Sequence, residues 1–438
     1  MHIIQREPST SELRQFVLRL GGLHIEMSFL GCIGHIMSDS GLREVLETVY
    51  ADNAVTHMLT GKAIARAIRG HNLVSMALQS LLVSEVFDIQ LEDRDGSEGE
   101  RLESREDEHE TVTSDSDGDT LEISVQEQLS TVVESTHNQI GEMVELFAEQ
   151  TGSENRQSVD SDIDCACQLF DQVLIGEIDV ESACSAPVIN RIQDRIANFS
   201  SKLREQRTGK LWLQYLTMMD ILRAFIKAER TGDWKLHLQA VLDMLPYFAS
   251  AGHNLYTKSA YLYLMNMQDL ETTNPNIHNF FMNGYHVIRR SDRFWAGLST
   301  DLVIEQMLMR SLKTVGGLTR GRGMTDTQRT LWLLSRPACS EINEALQKFT
   351  GTMYITSEQH KESSSATQKR DMNDCKAMTD YLLERNPFGE DTELKSISSG
   401  VIGNESNADD AKQVGHKVIK KMLGSSVSDL HLERKTRS

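Results

Sequence analysis

A mainly α, multi-helical fold is predicted by three features of this chain of 438 residues. Apolar residues recur at helical spacing over long stretches, prolines number only 6, and alternating β-branched runs are few. Two departures complete the expected class. One short N-terminal strand is read at Phe16 to Gly22 (FVLRLGG), and a disordered acidic insert follows the first helices.

Leu23, Met27, Leu30, Ile33 and Met37 share one side of a helix that follows the strand directly. Ser38-Asp39-Ser40-Gly41 stops it and caps a short helix, LREVLETVY, after which Lys62 to Phe87 reads as one long helix. Gln90 to Asp119 lacks the apolar residues that would offset the entropy of ordering, whereas Leu121 to Gln150 regains them at amphipathic spacing. Leu211 to Lys227, Trp234 to Phe248 and Tyr256 to Leu270 are three further helices, broken at Gly232-Asp233 and at Ala251 to Asn254. The tail loses apolar density through KESSSATQKRD and regains helical character in MTDYLLERNPF and DDAKQVGHKVIKKMLG. The organisation expected is a strand-plus-helix block at 1–89, the insert at 90–165, a helical main block at 166–352 and a partly helical tail at 353–438.

Charge is distributed unevenly. Glu85 to Asp164 holds 25 acidic and 4 basic residues, a net of -21 against -19 for the whole chain, so the remainder carries +2. The low pI thus belongs to the insert, and a near-neutral body with a local basic cluster is compatible with DNA as a partner. The insert itself would recruit basic protein partners. Six cysteines without CxxC spacing suit a reducing compartment, and the charged N-terminus and the lack of a long apolar run imply no membrane partner. The localisation expected is nuclear or cytoplasmic.

The densest functional-looking stretch is RRSDRFWAGLSTDLVIEQMLMRSLKTVGGLTRGRG. Ser299 or Thr300 caps a helix over Asp301 to Lys313, which puts Asp301 and Glu305 one turn apart on one face. Arg289, Arg290, Arg293, Lys313, Arg320 and Arg322 surround that pair and are the candidate nucleic-acid-binding residues. Acids in a first helical turn also stabilise the helix dipole without any ligand. Two-metal nucleases need three or more carboxylates, so an active chain would use Asp301 and Glu305 with Mg²⁺ or Mn²⁺ and a further acid that spacing does not reveal. His24, His35, His57 and His71 show no HxxxH pattern, Cys32 lies in an apolar run, and GxSxG is absent. Trp212, Tyr215, Trp234, Tyr247, Tyr256, Tyr261 and Tyr263 read as core; Trp295, among arginines, is the aromatic residue placed for stacking on a base.

Through VLRLGGLHIEMSFLGCIGHIM, GDWKLHLQAVLDMLPYFASAGHNLY and DLVIEQMLMRSLKTVGGLTRGRG, the chain resembles an uncharacterised, multi-copy, transposon-associated family of animal genomes, related to a domain of unknown function. The resemblance covers about Val17 to Val86, Leu211 to Gln347 and Asp371 to Met422 and omits the acidic insert. It implies a truncated ribonuclease-H-like transposase relic: the strand as a remnant of an α/β core, an all-helical insertion, and a later helix whose D-x-x-x-E is met by Asp301 and Glu305. Gly22 stands where an acid would be wanted. The expected function is therefore a mobile-element-derived helical protein without autonomous catalysis, with residual nucleic-acid binding. The alternatives are a metal-dependent nuclease using Asp301 and Glu305, and a helical interaction scaffold with an acidic recruiting loop.

Overall fold

The computed structural model describes residues 6–8, 10–87, 157–289, 294–305, 325, 327, 330–331, 334–350, 365–390, 392–403 and 408–424. Among these, sixteen α-helices accompany one two-stranded sheet, which is the mainly α, multi-helical class. The acidic segment up to residue 156 lies outside the described residues, including the amphipathic stretch 121–150.

The strand read at Phe16 to Gly22 does not form. After a single 3-10 turn (Glu12–Gln15), residues 16–21 form no regular element, with Phe16 and Gly21 extended and no ladder partner among the described residues, and Gly22 already opens a helix. A lone strand cannot satisfy its backbone groups. The segment instead lies along the helices: Val17 and Leu20 pack against the core, Leu18 faces solvent and Arg19 reaches inward. The sheet sits elsewhere, where β1 (Ile288–Arg289) pairs antiparallel with β2 (Gly297–Leu298) in the register Ile288 to Leu298 and Arg289 to Gly297.

The N-terminal helices are α1 (Gly22–Ile36), α2 (Leu42–Glu47), α3 (Asp52–Leu59) and α4 (Ile64–Phe87). Of these, α3 was not legible in the apolar spacing. Then come α5 (Gln157–Leu174), α6 (Val180–Cys184), α7 (Pro187–Leu203), α8 (Arg207–Thr231), α9 (Trp234–Ser250), α10 (Asn254–Gln268), α11 (Leu270–Thr273) and α12 (Pro275–Met282). After the sheet follow α13 (Thr300–Val303), α14 (Arg336–Thr350), α15 (Ser365–Glu384) and α16 (Ala411–Gly424).

One hydrophobic cluster joins the first block, the main block and the tail. It includes Phe29 and Ile33 of α1, Val74 and Leu78 of α4, Trp212 and Phe225 of α8, Val241 and Phe248 of α9, and Met378 and Leu382 of α15. Phe29 meets Phe248 edge-to-face at 5.9 Å. α4 is buried on almost every side because the tail folds back over it: Arg69 of α4 pairs with Asp371 of α15, and also with Asp374 at 2.5 Å and the Tyr50 hydroxyl at 2.6 Å. The α4 and α15 partners lie about three hundred residues apart, a long-range clamp that helical periodicity does not encode.

The chain reversal after α8 positions the candidate site. Gly232 ends α8 with φ 77, and Asp233 caps α9 by accepting from the Leu236 N–H at 3.0 Å. Gly284, with φ 82 just after α12, lies against it so closely that a β-carbon on Gly232 would be 3.0 Å from the Gly284 carbonyl oxygen. This contact brings the end of α8, the start of α9 and residues 285–287 to one place.

Candidate functional site

At that junction the body holds a buried charge centre on Glu229, in the last turns of α8. Arg19 Nη2 donates to Glu229 Oε1 at 2.5 Å, Ser299 Oγ donates to Oε2 at 2.7 Å, and His237 Nδ1 lies 2.9 Å from Oε1. The His237 contact is not aligned as a directed hydrogen bond. Arg19 Nη1 also donates to Thr300 Oγ1 at 3.0 Å, so the segment before α1 is stitched to α8 and to the start of α13. His237 Nε2 meets the Tyr263 hydroxyl at 2.9 Å, and Trp234 stacks on the imidazole at 5.2 Å with the rings 9° apart.

The protonation states follow from burial set against partners. Burial pushes the Glu229 carboxyl up, but Arg19, His237 and Ser299 override it and hold the group at about 2. His237 is lowered, chiefly by burial and against the pull of Glu229. His286, also fully inside, is pushed down to about 4 by burial and then by the Arg19 charge. Glu26 of α1 goes the other way: burial first, then Glu229 and Asp301, push its carboxyl up to about 8. It is therefore neutral at pH 7, and its buried Oε1 has no hydrogen-bond partner among the described residues.

Asp301 stands at the rim of this centre. Its Oδ1 accepts from the Leu23 N–H and its Oδ2 from the His24 N–H, each at 3.0 Å, and His24 Nδ1 lies 2.8 Å from Oδ2. Asp301 thus caps α1 from a distance, where the local cap, Gly21, has no side chain to offer. The glycine pair makes room for both acids. A β-carbon on Gly21 would fall 2.1 Å from Asp301 Oδ2, and one on Gly22 would fall 2.1 Å from Glu229 Oε2.

The residues singled out in the sequence meet different fates. The helix expected over Asp301 to Lys313 is described only in its first turn, α13, with residues 304–305 continuing it; Glu305 is half-buried. Arg289 turns to backbone carbonyls, donating to Thr231 O at 3.4 Å and Phe294 O at 3.1 Å, so it holds the hairpin together. Arg290, Arg293, Lys313, Arg320 and Arg322 lie outside the described residues. Trp295 is half-buried with its indole nitrogen inside, and its neighbour Phe294 is the exposed ring. His24, His35 and His57 are on the surface, and His71 is a core group whose Nδ1 faces the Tyr215 hydroxyl at 3.0 Å while its buried Nε2 has no hydrogen-bond partner among the described residues. Sequence reasoning missed Glu229, Glu26, His237 and His286. They sit on different elements at no motif spacing, and the only local signal was the capped break at Gly232-Asp233.

The chain matches a family described as Domain of unknown function (DUF8702) over residues 1–151 and 142–438. The chain belongs to this family. The two matched segments meet inside the acidic insert, so the family pattern spans both the N-terminal helices and the bundle that builds the site. No curated protein and no solved structure matches the chain. No described helix is long and apolar enough to cross a membrane.

Proposed function

We propose that this protein is a helical interaction module without autonomous catalysis, which engages another protein through an aromatic ridge on α12 and the hairpin. The observation carrying this reading is the exposure of large rings on α12 and in the segment that follows it: Phe280 is 49 % exposed, Tyr285 59 % and Phe294 70 %. Phe280 and Tyr285 stack on one another at 4.8 Å, and Met282 and Ile288 extend the apolar surface. Rigid rings that neither enter a core nor meet water favourably suit the anchors of a protein interface. The acidic segment adds an attraction for basic partners.

The test is co-purification of the full chain with its cellular partners, repeated with Phe280→Ser combined with Tyr285→Ser. Loss of the partners with circular dichroism and Tm unchanged supports the reading, and an unaltered partner set overturns it. The competing nuclease reading rests on Asp301 and Glu305 and predicts Mg²⁺- or Mn²⁺-dependent nicking that disappears in Glu305→Ala. Capping α1 is a role for Asp301 that needs no metal. Descent from a mobile element is a separate proposal about ancestry. Residual DNA binding through the basic cluster would accompany it and would weaken steeply with salt.

A further inference from the structure

We propose that Glu229, His237 and His286 form a binding site for one divalent transition-metal cation of the zinc type. One ligand atom from each lies within 4.8 Å of the other two, and all three residues are buried. The three come from the end of α8, the start of α9 and the segment after α12, so the metal would tie together the junction that the Gly232 and Gly284 contact assembles.

Two observations point to a cation beyond the clustering itself. His286 is 1 % exposed, and among the described residues neither ring nitrogen makes a directed hydrogen bond, the Phe281 backbone only raising its pKa against the effect of burial. A buried imidazole left in this way costs free energy that a ligand would recover. The second observation is the orientation of His237. Its Nε2 meets the Tyr263 hydroxyl at 2.9 Å while its Nδ1 stands 2.9 Å from Glu229 Oε1, so an imidazole nitrogen and a carboxylate oxygen are already held at the separation of two ligands of one ion. Carboxylate and imidazole held by outer hydrogen bonds are the donor set that zinc-type ions take, and the Tyr263 and Ser299 bonds are the outer supports such ligands require. Ligand atoms about 2.0–2.1 Å from a tetrahedral Zn²⁺ sit roughly 3.3 Å apart. The His237 and Glu229 spacing of 2.9 Å is near that, and all three ligand atoms lie within 4.8 Å of one another.

Arg19 works against the cation but leaves it room, because each carboxylate oxygen has two lone pairs. The site presents three protein ligands and leaves one position of a tetrahedral ion to a further ligand.

The experiment strips the full-length protein with a chelator, removes the chelator, and titrates with Co²⁺ and then Zn²⁺. It follows the visible bands of bound cobalt, native mass spectrometry and Tm. The expected result is one equivalent per chain, cobalt bands displaced by zinc, a higher Tm when loaded, and loss of all three in His286→Phe. Phenylalanine is chosen because the imidazole already packs on Trp234 and Phe281, so the variant should fold. No uptake by the wild-type chain overturns the proposal. So does uptake undiminished in His286→Phe, which would place the ion on others of the 14 histidines. Should that variant fail to fold, X-ray absorption of the cobalt-loaded wild type decides: two imidazoles with a carboxylate support the site, and fewer than two imidazoles overturn it.

Discussion

Replacing Glu26 with glutamine should stabilise the protein by an amount that grows with pH. The folded carboxyl keeps its proton to about pH 8, whereas the ordinary value is 4.5. A group whose folded pKa is raised contributes fully below its unfolded pKa and loses that contribution as pH rises toward the folded one. Between pH 4.5 and 8 the unfolded chain releases this proton and the folded chain retains it, at about 1.4 kcal/mol per pH unit. The penalty on the wild type is therefore about 1 kcal/mol at pH 5.5 and about 3 kcal/mol at pH 7. A glutamine at this position has no proton to lose, and its amide keeps the side-chain volume. The assay is urea unfolding of chelator-treated wild type and Glu26→Gln at half-unit steps from pH 4.5 to 8. What matters is the difference between the two stability curves, since every other titrating group cancels in it. Packing differences would shift that difference by a constant, and its slope belongs to Glu26. Parallel curves across this range would refute the claim that burial beside Glu229 and Asp301 holds the carboxyl neutral.

Two further outcomes follow from the same centre. Arg19→Met should destabilise the fold by about 3–5 kcal/mol, because Glu229 is left as a buried, unpaired charge; adding Glu229→Gln to Arg19→Met should recover part of this in the same urea assay, and full additivity would count against a direct pair. Gly22→Ala should lose about 1–3 kcal/mol by thermal unfolding, since its β-carbon would overlap Glu229 Oε2 and Ser299 Oγ; a silent substitution would mean the carboxylate does not approach α1 so closely.

The helices were legible because burying one face of a helix imposes a local period. Leu211 to Lys227 and Trp234 to Phe248 fall inside α8 and α9, and the break at Gly232-Asp233 is where the left-handed glycine and the aspartate cap stand. Periodicity failed at FVLRLGG, where an apolar run next to glycines looks like a strand whether or not a neighbouring strand exists. It failed again at α3, whose eight residues are too few for a period to stand out. The acid pair shows the same limit. Asp301 was found by its spacing to Glu305, but its contacts in the fold are with Leu23 and His24, more than two hundred and seventy residues earlier.

The sequence by itself determined the helical class, the helix breaks and the separation of a highly acidic segment from a near-neutral body, because propensity, capping and charge are properties of neighbouring residues. Only the tertiary structure decided that Arg19, Glu26, Glu229, His237, His286 and Asp301 meet, and with what protonation. Their pKa values and their fitness for a metal depend on burial and on distances of about 3 Å between residues far apart in the chain. No local pattern carries such distances; they are set by how α1, α8, α9 and the hairpin pack.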